Sequence, residues 1–207
     1  MPDVHVLSHP LAKVLMTQLR DAATPSDQFR IAMQRLAALL FMDASRDISV
    51  ESVQVTTPLT TTSGSKLARP LVLVPVLRAG LGLVDGILHL VPDAVVAHIG
   101  IARDEATARP HSYYAKLPSL LSNADVFLLD PMLATGGSAV EAARQLKAAG
   151  TRSLRLVGVV ACPQGLETFH AAHPDVPVHT ASIDEGLNDR SYIIPGLGDA
   201  GDRYFGT

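Results

Sequence analysis

The residues with the most chemical content are Asp130-Pro131-Met132-Leu133-Ala134-Thr135-Gly136-Gly137-Ser138, which follow the apolar run Val126-Phe127-Leu128-Leu129 and precede a helical pattern. Two glycines without Cβ, hydroxyls on either side and the unpaired N–H groups of a helix start make Thr135, Gly136, Gly137 and Ser138 a pocket for a terminal phosphate. The loop is not of the Walker type, since it has no lysine and no Gly-Lys-Ser/Thr ending, and NTP hydrolysis loses its main support. Asp130, a few residues earlier, is placed to reach the hydroxyls of a sugar carrying such a phosphate; the alternative is an Asx-type turn ahead of Pro131. A second turn, Pro75-Val76-Leu77-Arg78-Ala79-Gly80-Leu81-Gly82, fails as G-x-G-x-x-G because Asp85 stands at the third glycine position and Gly86 comes one residue late. Its plain reading is a strand-to-helix turn whose glycines serve the backbone. Arg78 adds chemistry, because a permanently charged fork in a glycine-rich turn suits phosphate oxygens.

Loops of this kind need strands that end together. Apolar runs of buried-strand type occur at 71–74, 95–97, 126–129, 154–160 and, weakly, 178–183, with helical patterns at 81–90, 138–149 and 165–173 between most of them. That alternation predicts an α/β fold, a doubly wound and mostly parallel sheet covered on both faces, with ligands beyond the C-terminal ends of the strands. Ahead of the sheet, Leu11, Val14, Leu15 and Leu19 mark one face of a first helix. Thr24 reads as the N-cap of a second, with Pro25 at its first position and Asp27 closing a capping box. Phe29, Met33, Leu36 and Leu40 form its apolar stripe, a core or subunit contact. Val53 and Val55 alternate with polar neighbours, and the turn-like cluster at 60–65, with Gly64, suggests an edge hairpin or flap. No linker, repeat or low-complexity segment interrupts the chain, so 1–207 reads as one domain: N-terminal helices about 9–45, core about 68–185, C-terminal segment about 186–207.

Composition excludes several classes. Apolar residues at 47% and charged residues at 18% argue against disorder, and no apolar stretch is long enough to cross a bilayer. Seventeen Lys and Arg against 20 Asp and Glu leave a net charge of −3, so there is no broad positive field for nucleic acid or an acidic membrane. Aromatic residues at 4%, with no Trp, argue against a base-stacking platform. What this excludes is the extended polymer; a nucleotide-sized ligand can still be held by clustered N–H groups and one or two arginines. A single cysteine and an N-terminus without an export pattern make the cytoplasm the expected compartment. Cys162, ahead of Pro163 in an apolar context, reads as a small core residue, and His170 with His173 lacks the partners of a zinc site.

Together these motifs resemble the uracil phosphoribosyltransferase family of type I phosphoribosyltransferases. The likeness runs through Val76-Leu77-Arg78-Ala79-Gly80-Leu81-Gly82, Arg103-Asp104-Glu105, Tyr113-Tyr114-Ala115-Lys116-Leu117-Pro118, the 130–138 loop and the tail from Pro195 to Thr207, nearly the whole chain. The tail is its most specific part. The chain departs from the family at Ala102, where Tyr is common, and at Ala161-Cys162-Pro163-Gln164-Gly165, where A-A-P-E-G is usual. Pro131 stands where the wider superfamily has a second acid.

The resemblance implies N-terminal helices, a small β-flap and a C-terminal hood around the sheet. It implies transfer of the 5-phosphoribosyl group from phosphoribosyl pyrophosphate (PRPP) to N1 of uracil, giving UMP and pyrophosphate in pyrimidine salvage. By similarity, Thr135, Gly136, Gly137 and Ser138 anchor the 5′-phosphate, and Pro131, Met132, Leu133 and Ala134 complete the PRPP site. Asp130 takes the ribose hydroxyls; Arg78 and Arg103 neutralise pyrophosphate together with Mg2+ held mainly through substrate and water. Ile193, Gly198, Asp199 and Ala200 meet the base, with Asp199 also facing PRPP. The 103–109 segment would be a polar loop folding over the pyrophosphate. A homodimer or higher homo-oligomer is implied, with GTP an effector in some members, and no nucleic-acid or membrane partner. Two other readings stand beside this one: a pyrimidine-sensing RNA-binding regulator on the same fold, and a phosphoribosyltransferase for another base.

Overall fold

The central strands are apolar on both faces because both faces are covered. In the stretch 71–77, Leu71 and Leu73 point into one core and Val72, Val74 and Val76 into the other; in 125–129, Phe127 and Leu129 oppose Val126 and Leu128 in the same way. Period-two side chains with no polar face are the mark of a sheet sandwiched between helices. The computed structural model describes residues 3–103 and 110–207, Arg103 and Pro110 by their backbone alone.

The chain runs β1 (Val4–Val6), α1 (Pro10–Arg20), α2 (Ser26–Ala44), β2 (Val50–Thr56), β3 (Thr61–Leu67), β4 (Leu71–Leu77), α3 (Leu81–Leu88), β5 (Val95–Val96), β6 (His98–Arg103) and β7 (Pro110–Lys116). After a 3-10 turn at Ser119–Asn123 come β8 (Asp125–Leu129), β9 (Met132–Leu133), α4 (Gly137–Ala148), β10 (Ser153–Val157), β11 (Val160–Ala161), α5 (Pro163–Ala172) and β12 (Val178–Thr180). Then follow β13 (Ser182–Ile183), β14 (Gly186–Leu187), β15 (Ile193–Ile194) and α6 (Ala200–Phe205). The main sheet has the order β1-β12-β10-β8-β4-β6-β7, with β5 also on β4 and only β6–β7 antiparallel along that path. Helices α1, α2, α3 and α6 cover one face, and α4 and α5 the other. This is the doubly wound α/β fold expected from the alternation of runs.

From β4 the chain goes first to β6 and β7 on one side, then returns to β8 on the other. The β4/β8 junction is therefore the switch point, where connections leave in opposite directions and open a crevice. Pro75 is opposite Leu129, so Asp130 emerges level with Val76, two residues before Arg78. Beyond this edge the apolar runs 154–160 and 178–183 do not continue straight. Each breaks into two strands, and β9, which is part of the 130–138 loop, pairs with β11 and β11 with β13 in a second small parallel sheet.

Several local expectations need correction. Helix α1 buries Ala12, Leu15, Met16 and Leu19, while Leu11 and Val14 are exposed, because the i, i+3, i+4, i+7 row starting at 12 is the one facing the core. Helix α2 begins at Ser26 with Pro25 as an N-cap that makes no side-chain bond. Thr24 Oγ1 instead donates to the Gln18 carbonyl at 2.7 Å, tying the turn to α1. The stripe Phe29, Met33, Leu36 and Leu40 is fully buried. The flap exists as the β2–β3 hairpin, but it reverses at 57–60, where Thr57 Oγ1 accepts from the Leu59 and Thr60 N–H groups; Gly64 lies within β3, opposite Val53. Asp104 and Glu105, with the rest of 104–109, lie outside the described residues. No helix among the described residues is long and apolar enough to cross a membrane.

Candidate active site

A cleft of about 190 Å³ opens at the switch point, lined by Val76, Leu77, Arg78 and Ala79 from the end of β4, Ile101 from β6, and Asp130, Met132, Leu133, Ala134, Thr135, Gly136, Ser138 and Ala139. Asp130 Oδ1 accepts the Met132 N–H at 3.3 Å, so the Asx turn is present. That turn uses one oxygen only, and the other has no protein partner among the described residues. Burial pushes the Asp130 carboxyl up to about 6, partly opposed by the Met132 N–H. A carboxylate held with little compensation in a cleft is a group prepared for a ligand.

Helix α4 starts at the far side of this cleft. Its N-cap, Gly136, has φ +82° and no side chain to cap the first turn, an arrangement in which the leading amides of a helix can face an anion. A Cβ on Gly136 would also lie 2.8 Å from the Gly165 carbonyl oxygen. Gly165, in the first turn of α5, is as tightly placed, its own Cβ position 2.5 Å from the Ala134 oxygen. Loop and helix thus meet backbone to backbone, and buried Cys162 donates its thiol to the Ala134 carbonyl at 3.1 Å behind them. We expect Gly165→Ala to push the loop into the cleft, lowering stability by roughly 1–3 kcal/mol and weakening phosphate affinity, as thermal melts and phosphate titration would show.

A second cavity, of about 200 Å³, is lined by Ala79, Met132, Ala134, Ser191, Tyr192, Ile193, Gly198, Asp199, Ala200 and Gly201. Ala79, Met132 and Ala134 belong to both cavities, so the two are neighbours across those three residues. The tail that forms the second is well anchored. Ile193, Leu197, Ala200 and Tyr204 are buried, and Arg30 donates to the Tyr204 carbonyl at 2.9 Å. Ile194 and Phe205, by contrast, stay exposed at 44% and 39%. Asp199 both lines the cavity and caps α6, its Oδ1 accepting from the Asp202 N–H at 2.9 Å. Gly198 has φ +77°, a conformation that keeps its backbone uncovered at the cavity wall.

The structure therefore gathers most of the sequence-derived residues into two adjoining clefts. Arg78 is at the rim, donating to Asp202 at 3.0 Å with its guanidinium 5.7 Å from the Phe205 ring centre. Pro131 and Gly137 line neither cavity: the Pro131 carbonyl accepts from Val159 and Val160, and Gly137 opens α4. Arg103 ends β6, at the strand that contributes Ile101. Sequence reasoning assigned no lining role to Val76, Leu77, Ala79, Ile101, Ala139, Ser191 and Tyr192; Ser191, a non-glycine at φ +63°, is conformationally unusual, and sequence does not announce it.

Similar architecture occurs in solved structures. An Aquifex aeolicus protein superposes with a TM-score of 0.93 at 38% identity, over 98% of this chain and 97% of its own. The adenine phosphoribosyltransferase of Trypanosoma brucei, solved with AMP, pyrophosphate and ribose 5-phosphate, gives 0.59 at 17% identity, over 92% and 87%. The fold is that of the type I phosphoribosyltransferases. Within that class the match is close: the uracil phosphoribosyltransferase family model covers residues 6–207, and the uracil phosphoribosyltransferase of Ligilactobacillus salivarius is 48% identical over the full length of both chains. The chain belongs to the uracil phosphoribosyltransferase family.

Proposed function

We propose that this chain transfers the 5-phosphoribosyl group of PRPP to N1 of uracil, releasing pyrophosphate and forming UMP in pyrimidine salvage. The observation that carries this reading is the pair of cavities joined at Ala79, Met132 and Ala134, one with an uncapped helix N-terminus and a carboxylate, the other walled by a glycine-containing tail. A phosphorylated sugar in the first would present its anomeric carbon toward a base in the second. Family membership and full-length relatives favour this over an RNA-binding regulator or a transferase for another base.

The reaction needs charge placed at two points and two reactants held in line. As pyrophosphate leaves, the ribose carbon becomes cationic, and Asp130 puts negative charge beside it while accepting from the ribose hydroxyls. The α4 N-terminus with Thr135 and Ser138 holds the 5′-phosphate at the opposite end of the sugar. Arg78, released from Asp202, neutralises pyrophosphate, with Arg103 assigned the same task by family resemblance. Proximity and orientation of this kind supply roughly 7–11 kcal/mol in favourable cases, so no nucleophilic side chain is required.

The residues fit a magnesium ion. Among the described residues, Asp130 offers a carboxylate oxygen without a protein partner, and no group of three His, Cys, Asp or Glu side chains is arranged to cage an ion. That donor set suits Mg2+ held mainly by substrate oxygens and water, with Asp130 as the protein's contribution. When bound, the ion supplies positive charge to the leaving pyrophosphate. A homo-oligomer and a response to GTP are further parts of the proposal, resting on family resemblance, and a cytoplasmic setting is another, resting on the single cysteine and the N-terminal pattern.

Uracil offers acceptor, donor and acceptor along O2, N3–H and O4, a pattern that backbone groups of the 193–200 segment can match. A backbone N–H facing O4 would reject cytosine, whose amino group would set donor against donor. Incubation with PRPP, uracil and Mg2+ should yield UMP by chromatography, and its absence would refute the reading. The pH profile gives a second check. Because burial raises Asp130 to about 6, kcat/KM should fall as pH drops through that value and the carboxylate gains a proton. An acid limb centred near 4 would contradict this.

A further inference from the structure

We infer that Arg20, at the end of α1, is a positioning residue for the base: through Asp184 it sets the Gly196 turn from which the uracil-facing backbone is presented. The inference rests on the functional reading above and deepens it.

The segment between β15 and α6 has no strand or helix ladder to define its path. It nevertheless has to hold Gly198 and Asp199 at the wall of one cavity. The structure supplies the missing constraints from side chains. Arg20 donates through Nη1 and Nη2 to both oxygens of Asp184, at 2.7 and 2.6 Å, a two-pronged pairing of fork and carboxylate. The same pair grips Gly196 on both sides of its backbone: the Gly196 N–H donates to Asp184 Oδ2 at 2.8 Å, and Arg20 Nη1 donates to the Gly196 carbonyl, also at 2.8 Å. Ser182 completes the arrangement, donating to Asp184 Oδ1 at 2.7 Å and accepting from Arg20 Nη2 at 3.0 Å.

Asp184 is nearly inaccessible, with its side chain 3% exposed, while Arg20 keeps 28% of its own. Burial alone would raise the Asp184 carboxyl, but hydrogen bonds from Arg20, Ser182 and the Gly196 N–H outweigh it and hold the group below its ordinary value. Asp184 is thus ionised and fully engaged. Gly196 has no freedom to accept a side chain, since a Cβ there would collide with the Ile193 carbonyl. Any movement of the Arg20–Asp184 pair must therefore move the turn and Gly198 two residues further on.

A second arginine fastens the same two elements. Arg203, in α6, donates to the Leu19 and Asp21 carbonyls at the end of α1 and to the Leu197 carbonyl, with its guanidinium 4.4 Å from the Phe29 ring centre. The N-terminal helices thus reach the base-recognition segment at Gly196 and Leu197. None of these arginine contacts involves a residue that lines the phosphate cleft.

The test is a comparison of Arg20→Lys and Arg20→Gln with the wild type, measuring the KM of each substrate, kcat and thermal melting. Lysine keeps the charge but cannot bridge both Asp184 oxygens and the Gly196 carbonyl. We expect the uracil KM to rise roughly tenfold in Arg20→Lys and further in Arg20→Gln, with the PRPP KM within about twofold of wild type. A purely structural role would lower the melting temperature without separating the two KM values. A folded Arg20→Lys variant whose KM values are both unchanged, or rise in parallel, overturns the inference. If Arg20→Gln does not fold, Arg20→Lys decides alone. A wild-type protein that makes no UMP refutes the functional reading, and this inference with it; an active wild type with an unaffected variant refutes only the role of Arg20.

Discussion

Asp130→Asn should lower kcat/KM by about 100- to 1,000-fold while leaving the protein at least as stable as the wild type at neutral pH. The catalytic loss follows from removing the negative charge that faces the developing ribose cation. The stability follows from linkage. Burial raises the Asp130 carboxyl in the folded state from 3.8 to about 6. Its favourable contribution to folding is present below the unfolded value of 3.8 and is lost as pH rises through about 6, so at pH 7 the ionised group costs stability. A shift of this size corresponds to at most about 3 kcal/mol at 1.36 kcal/mol per unit. Asp130 lines an open cleft and is only partly buried, so the realised cost is below this bound, and asparagine relieves it. Melting temperatures of the two proteins at pH 7 and pH 5 should therefore differ more at the higher pH. A folded variant with near-normal turnover would remove Asp130 from the mechanism.

Gly198→Val should reduce uracil affinity by about 100-fold, some 2.7 kcal/mol, and leave PRPP binding nearly intact. The position has φ +77°, where a β-branched residue is strongly disfavoured. Space is not the main obstacle, since the nearest atom to a Cβ would be Arg203 Cδ at 3.5 Å. Valine would instead drive the backbone toward negative φ, rotating the peptide groups that face the base. The phosphate cleft takes no lining residue from this segment, which is why the two substrates should respond differently. Calorimetric titration of uracil, with an unreactive PRPP analogue present, measures the effect; unchanged affinity would eliminate backbone reading at Gly198.

What sequence revealed and what it hid divide along the range of the interactions. The 130–138 loop was legible because its determinants are contiguous: a buried strand, an acid, then small and hydroxylic residues at a helix start. The runs 71–74 and 126–129 were legible because burial on two faces leaves an unbroken apolar stretch, although β4 continues to Leu77 through residues read as a turn. The capping box at Thr24 failed because a hydroxyl that could cap α2 found a partner in α1, and tertiary context prevailed over the local pattern. Strand β1 has only three residues and derives its order from pairing with β12, more than 170 residues away. The same holds for Arg20 and Asp184, 164 positions apart, whose types carry no sign of each other. Half of the candidate base site was therefore visible as a glycine-rich tail, while the arginines that contact it were not.

The most direct test of the central claim is pyrophosphate release with PRPP and Mg2+ across a panel of uracil, cytosine, adenine, hypoxanthine and orotate. Adjoining phosphate and base cavities of this form predict rapid release with uracil and little with the other four. Release with uracil no faster than with adenine, hypoxanthine or orotate would contradict the assignment of the second cavity to that base.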